Sequence, residues 1–132
     1  MNFAEIEREI GRHLEAMADC PPIAWENKDF PPSFPYIEFR HAPTTRLDET
    51  VDCTGPIEVG IVLLTVVTKQ DAFTNEALDL AQSVADHFPK GLRLAGTGGT
   101  VLIYAPAAPA SGFVDGNAWR LPVRVFYMTE TT

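Results

Sequence analysis

Basic residues are scarce in this chain of 132 residues: ten Lys and Arg stand against eighteen Asp and Glu, a formal net charge of −8. That balance argues against a general nucleic-acid-binding surface, which needs a basic footprint on the phosphate backbone. It also disfavours docking on anionic membranes. Cysteine is nearly absent. Cys20 and Cys53 fit no disulfide framework and no metal-ligand spacing, so a reduced, cytosolic protein is expected. Long apolar runs are missing too. The longest, Gly60–Val67, is too short to span a bilayer. The opening residues MNFAEIEREI lack the basic and apolar regions of a signal peptide, and none is expected.

Recognisable chemistry is equally thin. His13, His41 and His87 have no Cys, Asp or Glu at a metal-ligand spacing, which predicts partly exposed structural histidines. Gly96-Thr97-Gly98-Gly99 lacks the Gly-Lys-Ser/Thr ending of a phosphate loop and is followed by a strand pattern, so it predicts a hairpin turn. Ser33, Ser83 and Ser111 lack a nucleophile elbow. Cys53 lies in an acidic stretch that raises a thiol pKa rather than lowering it. Glu26, Asp29 and Glu38 meet across two strands only as solvated edge charges. Asp48, Glu49 and Asp52 do not match an EF-hand loop. No catalytic residue, metal or cofactor is expected.

What is present is one domain's worth of core, with 45% hydrophobic residues. Phe3, Ile6, Ile10, Leu14 and Met17 recur at helical spacing after a possible N-cap, Asn2, with Glu5, Glu7 and Glu9 in the early turns. Strands are predicted at Ile23–Glu26 and Tyr36–His41, the second with Ile37 and Phe39 facing the core. Between them runs a proline-rich aromatic linker, Asn27–Pro35. Residues 42–55 turn polar and predict an exposed loop or mobile hairpin extension. Ile57–Thr68 is almost continuously apolar, which predicts a central strand buried on both faces, with Gly60 marking a bulge or a close backbone approach.

A second helix follows Thr74, with an apolar stripe of Phe73, Ala77, Leu80, Ala81, Val84 and Phe88, and stops at Pro89. Short strands are predicted at Leu92–Ala95 and Thr100–Tyr104, a loop at Ala105–Gly116, and a last strand at Ala118–Met128. In that strand Trp119, Leu121, Val123, Val125 and Tyr127 face one way. Pro122 cannot donate to a ladder and predicts an edge or a bulge there. The order α-β-β-β-α-β-β-β predicts an α+β fold: a mainly antiparallel mixed sheet of five or six strands, with two helices packed on one face.

The order of these signatures resembles the bacteriophage tail terminator family, the minor tail protein U type of long-tailed phages and prophages. The likeness rests on the helix ending near Cys20, on Pro22-Ile23-Ala24-Trp25-Glu26-Asn27, on Phe30-Pro31-Pro32 and on Pro35-Tyr36-Ile37. It continues through the polar arm to Gly55, the strand Ile57–Val67, the helix ending at His87-Phe88, and Trp119 with Pro122-Val123. The resemblance implies a structural virion protein, not an enzyme. It implies a ring of copies, typically a hexamer, that sits on the last tail-tube ring, stops polymerisation and offers its other rim to a head-completion protein. DNA only passes through the lumen, and a negative charge suits that passage. By analogy the ring contacts fall on the linker and the polar arm, at Asn27, Phe30, Phe34, Arg46, Asp48 and Glu49, with Arg40, Arg120 and Arg124 pairing with a neighbour's acids. The implied location is the host cytoplasm during assembly and then the virion tail. A head–tail connector ring is the alternative, and a small enzyme or ligand-binding domain the third reading.

Overall fold

The computed structural model describes residues 1–26, 34–47, 57–69 and 74–130. Among them are two helices, α1 (Phe3–Glu15) and α2 (Thr74–His87). The strands are β1 (Ile23–Ala24), β2 (Tyr36–Leu47), β3 (Ile57–Lys69), β4 (Arg93–Gly96), β5 (Gly99–Ile103), β6 (Ala108–Pro109), β7 (Phe113–Asp115) and β8 (Ala118–Glu130). The fold is α+β. The strands form one mixed sheet in the order β1-β2-β3-β8-β5-β4, and only β1 against β2 is parallel among the pairs described.

Local sequence explains most of these boundaries. Asn2 caps α1, its side-chain oxygen accepting from the Glu5 N–H at 2.8 Å. The apolar stripe of α1 buries Ile6, Ile10 and Leu14, and that of α2 buries Ala77, Ala81, Val84 and Phe88. Both stripes meet one buried cluster built on Ile37 and Phe39 of β2, Val62, Leu64 and Val66 of β3, Val101 and Ile103 of β5, and Leu121, Val123, Val125 and Tyr127 of β8. Alternation along each strand puts these residues on one sheet face.

Four expectations change. First, β2 does not stop at His41: residues 42–47 continue it, pairing with residues 57–61 of β3 around an irregularity between Pro43 and Thr45. The side chains of residues 42–46 are exposed or half-exposed, so the backbone ladder carries no apolar alternation to read. Second, β3 buries both faces only at its C-terminal end, where Val67 joins Tyr36 and Ala118 in a second small cluster; elsewhere it buries one. Val62 and Leu64 are fully covered, whereas Val59, Ile61 and Leu63 stay half-exposed. Third, the stretch expected to be a loop contains β6 and β7, strands too short for a sequence period. Fourth, β8 is no edge strand. One side of it pairs with β3 over residues 118–128, and the other is shared by β7, β6 and β5. Pro122 fits because its carbonyl accepts from the Ala110 N–H, between β6 and β7. Its missing donor points at that break, so no bond to β3 is lost.

The two helices are also clasped at their C-terminal ends. His13 Nε2 donates to the His87 carbonyl at 2.7 Å, and His87 Nε2 donates to the His13 carbonyl at 2.6 Å. The rings stack with centroids 3.9 Å apart. A carbonyl only accepts, so both rings carry their proton on Nε2. Burial, and the facing His87, hold the His13 pKa below its ordinary 6.5, although the hydrogen bond to the His87 carbonyl works the other way. The unfolded chain therefore takes up this proton more readily than the folded one. The clasp's contribution is complete above pH 6.5 and declines as the pH falls below it. Thermal melts across that range should show a falling midpoint, and His13→Gln should flatten the His13 part of the slope. A slope unchanged in the variant refutes the clasp.

Candidate assembly surface

Three features draw attention, and two of them are turned inward. The first is the glycine-rich turn between β4 and β5. It is a hairpin turn, and it holds an anion supplied by the chain itself. Glu5 Oε1 accepts from the Gly98 N–H at 2.7 Å and from the Thr97 hydroxyl at 2.8 Å. A Cβ on Gly96 or Gly98 would lie 2.8 Å from the Glu5 carboxylate, so the turn needs both glycines to approach. The Gly98 N–H and then the Thr97 hydroxyl hold the Glu5 pKa below its ordinary 4.5. This stabilisation is complete above pH 4.5 and fades as the pH drops below it. Glu5→Gln should lower the melting midpoint at neutral pH and narrow its gap to the parent chain under strong acid. An equal gap at both pH values rejects the assignment.

The second feature is a polar cluster under α1. His41 is half-exposed as a residue, as expected, but its side chain is only 2% exposed. Its Nδ1–H donates to Glu7 Oε1 at 2.9 Å, and its Nε2 accepts from the Tyr127 hydroxyl at 2.5 Å. Burial first, then the charges of Glu58 and Glu7, push the Tyr127 phenol up to about 12. Beside it, Glu58 Oε1 accepts from Arg46 Nε at 2.7 Å, while Glu58 Oε2 is buried with no hydrogen-bond partner among the described residues. Sequence reading missed all of these partners. Gly60 was the available signal, since a glycine inside a strand marks a close approach. What approaches is the Tyr127 ring, not a backbone.

The third feature faces outward. On the sheet face away from α2, Leu63, Pro122 and Phe113 line a shallow groove of about 440 Å³ together with Arg40 and Arg120. Phe113 and Tyr104 are 49% and 39% exposed, and Tyr104 leans on Phe126 with centroids 6.3 Å apart. A charged ladder edges this patch. Arg120 donates to Glu38 at 2.5 Å and its Nε lies 3.0 Å from Asp115, off the hydrogen-bond line. Arg40 stands 3.9 Å from Glu38. Arg124 packs its guanidinium 5.9 Å from the Phe126 ring and has no ion-pair partner among the described residues. An apolar centre with a charged rim is the anatomy of a protein–protein contact.

The expected contact residues fall into three groups. Arg40 and Arg124 stand free enough on this face to reach a neighbour. Arg46 and Arg120 are engaged within the chain, and Arg46 also lies 5.8 Å from the Phe3 ring. Phe34 is half-buried and stacks on Tyr36 at 6.0 Å. Asn27, Phe30, Asp48 and Glu49 lie outside the described residues, as does Cys53. Of the carboxylates considered, Glu26 accepts from the His41 backbone N–H at 2.8 Å while Glu38 serves Arg120, so the two are occupied separately. Burial and nearby Glu15 push the Cys20 thiol up, away from reactivity. No group of three metal-ligating side chains occurs among the described residues.

Comparison with known proteins adds three findings. A family model described as "Phage tail terminator protein" matches residues 5–127. One solved structure covers 98% of this chain and 93% of its own at 18% identity and a TM-score of 0.76. A chain from the virion of a native gene transfer agent particle covers 99% and 100% at 15% identity and a TM-score of 0.67. At these identities the two structures establish a shared fold. No curated protein matches.

Proposed function

The chain belongs to the phage tail terminator family, a structural component of phage tails, and on that premise we propose that it closes the end of the tail tube as a ring. In this reading identical subunits, six by family analogy, seat on the last ring of tube protein, stop further addition and present the opposite rim to a head-completion protein. The ring performs no catalysis, assembles in the host cytoplasm and stays in the virion tail. DNA passes through its lumen, where the net charge of −8 discourages sticking. The observation that carries the proposal is the family match across nearly the whole chain, 5–127. The outward apolar face, with exposed Arg40 and Arg124, supports it, because a closed ring needs two different surfaces on every subunit.

The test is direct. Purified chain is added to polymerising tail-tube subunits and tube lengths are measured by electron microscopy. Capping predicts short tubes with extra density at one end, in proportion to the chain added. Tubes that grow to the lengths seen without it refute the proposal.

A further inference from the structure

Building on that reading, we propose that the ring contact joins the open sheet face of one subunit to the outer face of α2 in the next. The sheet side has a defined charge geometry. Arg40 and Arg124 are both in register with Leu63, one from each side. Adjacent strands are about 4.8 Å apart, so the two arginines stand roughly 10 Å from each other across a half-exposed leucine.

Helix α2 offers the complement. Its sequence TNEALDLAQSVADH contains three acids and no Lys or Arg. Glu76, Asp79 and Asp86 are exposed, and Leu78 is 52% exposed beside them. Asp79 and Asp86 lie close to two helical turns apart, roughly 10.5 Å along the axis. That spacing matches the arginine pair, and it brings Leu78 and Gln82 toward Leu63. Both carboxylates are available: the contact either makes within its helix is a single Gln82 donor to Asp86 at 2.9 Å.

The two surfaces sit on opposite sides of the subunit. Ala77, Ala81, Val84 and Phe88 of α2 pack on the face bearing Val62 and Leu64, whereas Leu63 points the other way. A contact between them is therefore head-to-tail, the kind that generates a ring when its rotation closes.

Two full-length variants test this, Arg40→Glu with Arg124→Glu, and Asp79→Arg with Asp86→Arg. All four positions are exposed, and unchanged circular dichroism and melting midpoints confirm folding. Sedimentation velocity is run over a concentration series. Wild type should self-associate, and each variant alone should associate at least about tenfold more weakly, because like charges then face each other. An equimolar mixture should recover assembly, since each acidic surface again meets a basic one. Wild-type-like assembly by either variant, a mixture that stays apart, or a wild type that is monomeric at every concentration overturns the contact. So does loss of tail-tube binding by the arginine variant with self-association intact, which would assign the face to the tube. Tube capping by wild type is scored separately: capping without this contact sinks the contact alone, and assembly through it without capping sinks the functional reading.

Discussion

Replacing Gly60 by alanine should lower the unfolding free energy by about 3 kcal/mol, the upper part of the usual range for overpacking a core. An added Cβ would lie 2.5 Å from the Tyr127 hydroxyl and 2.8 Å from Cζ of the same ring. Tyr127 cannot retreat cheaply. It is the largest fully buried side chain of the described core, and its hydroxyl is donated to the buried His41. Moving the ring therefore sacrifices both packing and the only acceptor contact of His41 Nε2 among the described residues. Tyr127→Phe alone should cost about 1.5 kcal/mol, because it strands that nitrogen. The two changes touch the same atoms, so their sum should overestimate the double variant Gly60→Ala, Tyr127→Phe by 0.5 kcal/mol or more, an order-of-magnitude expectation for residues in contact. Urea titration of the four chains measures the cycle. Strict additivity would show that the glycine is not there to admit the ring.

Arg46→Ala should cost about 2 kcal/mol. The Glu58 side chain is 3% exposed and has a single side-chain partner among the described residues, the Arg46 guanidinium. Removing one member of such a pair leaves an uncompensated carboxylate, which costs more than the pair contributes. The figure is kept below the fully buried range because Arg46 itself is 64% exposed and water can approach in its absence. The decisive comparison is Arg46→Met with Glu58→Met, which removes both charges and should recover most of the loss. A single variant as stable as the parent would return Arg46 to the surface and to a role in assembly. The contrast with Arg124 is the point: one arginine secures the fold and the other is left to reach outward.

The same contrast explains what could be read from the chain. α1 and β8 were legible because their patterns are local. A stripe at three-four spacing and an alternation over Trp119–Tyr127 each need only a short window. The glycine-rich turn was legible as a hairpin, but not its anion, since Glu5 and Gly98 are far apart in the chain and meet only in the fold. His41 failed in the same way: its partners Glu7 and Tyr127 come from other elements, so its sequence predicts only a partly exposed structural histidine. Pro122 misled for another reason. A proline marks one side of a strand as unable to donate, and here that side borders a break between β6 and β7 rather than solvent. Val59, Ile61 and Leu63 of β3 read as buried because an apolar residue does not declare whether anything covers it, whereas Val67 on the same face is covered. The family likeness rested on element order, which survives where individual residues do not.

The grip of the β4–β5 turn on α1 also sets a schedule. The helix leaves the ribosome well before its partner, because the Gly98 amide that holds Glu5 comes 93 positions after it. At the usual pace of synthesis, about 5–20 residues per second, a nascent helix waits roughly 5–20 s with its apolar stripe uncovered. Its strands Val101–Ile103 and the Tyr127 region come later still. The core that receives this helix therefore closes only after β8 has been made.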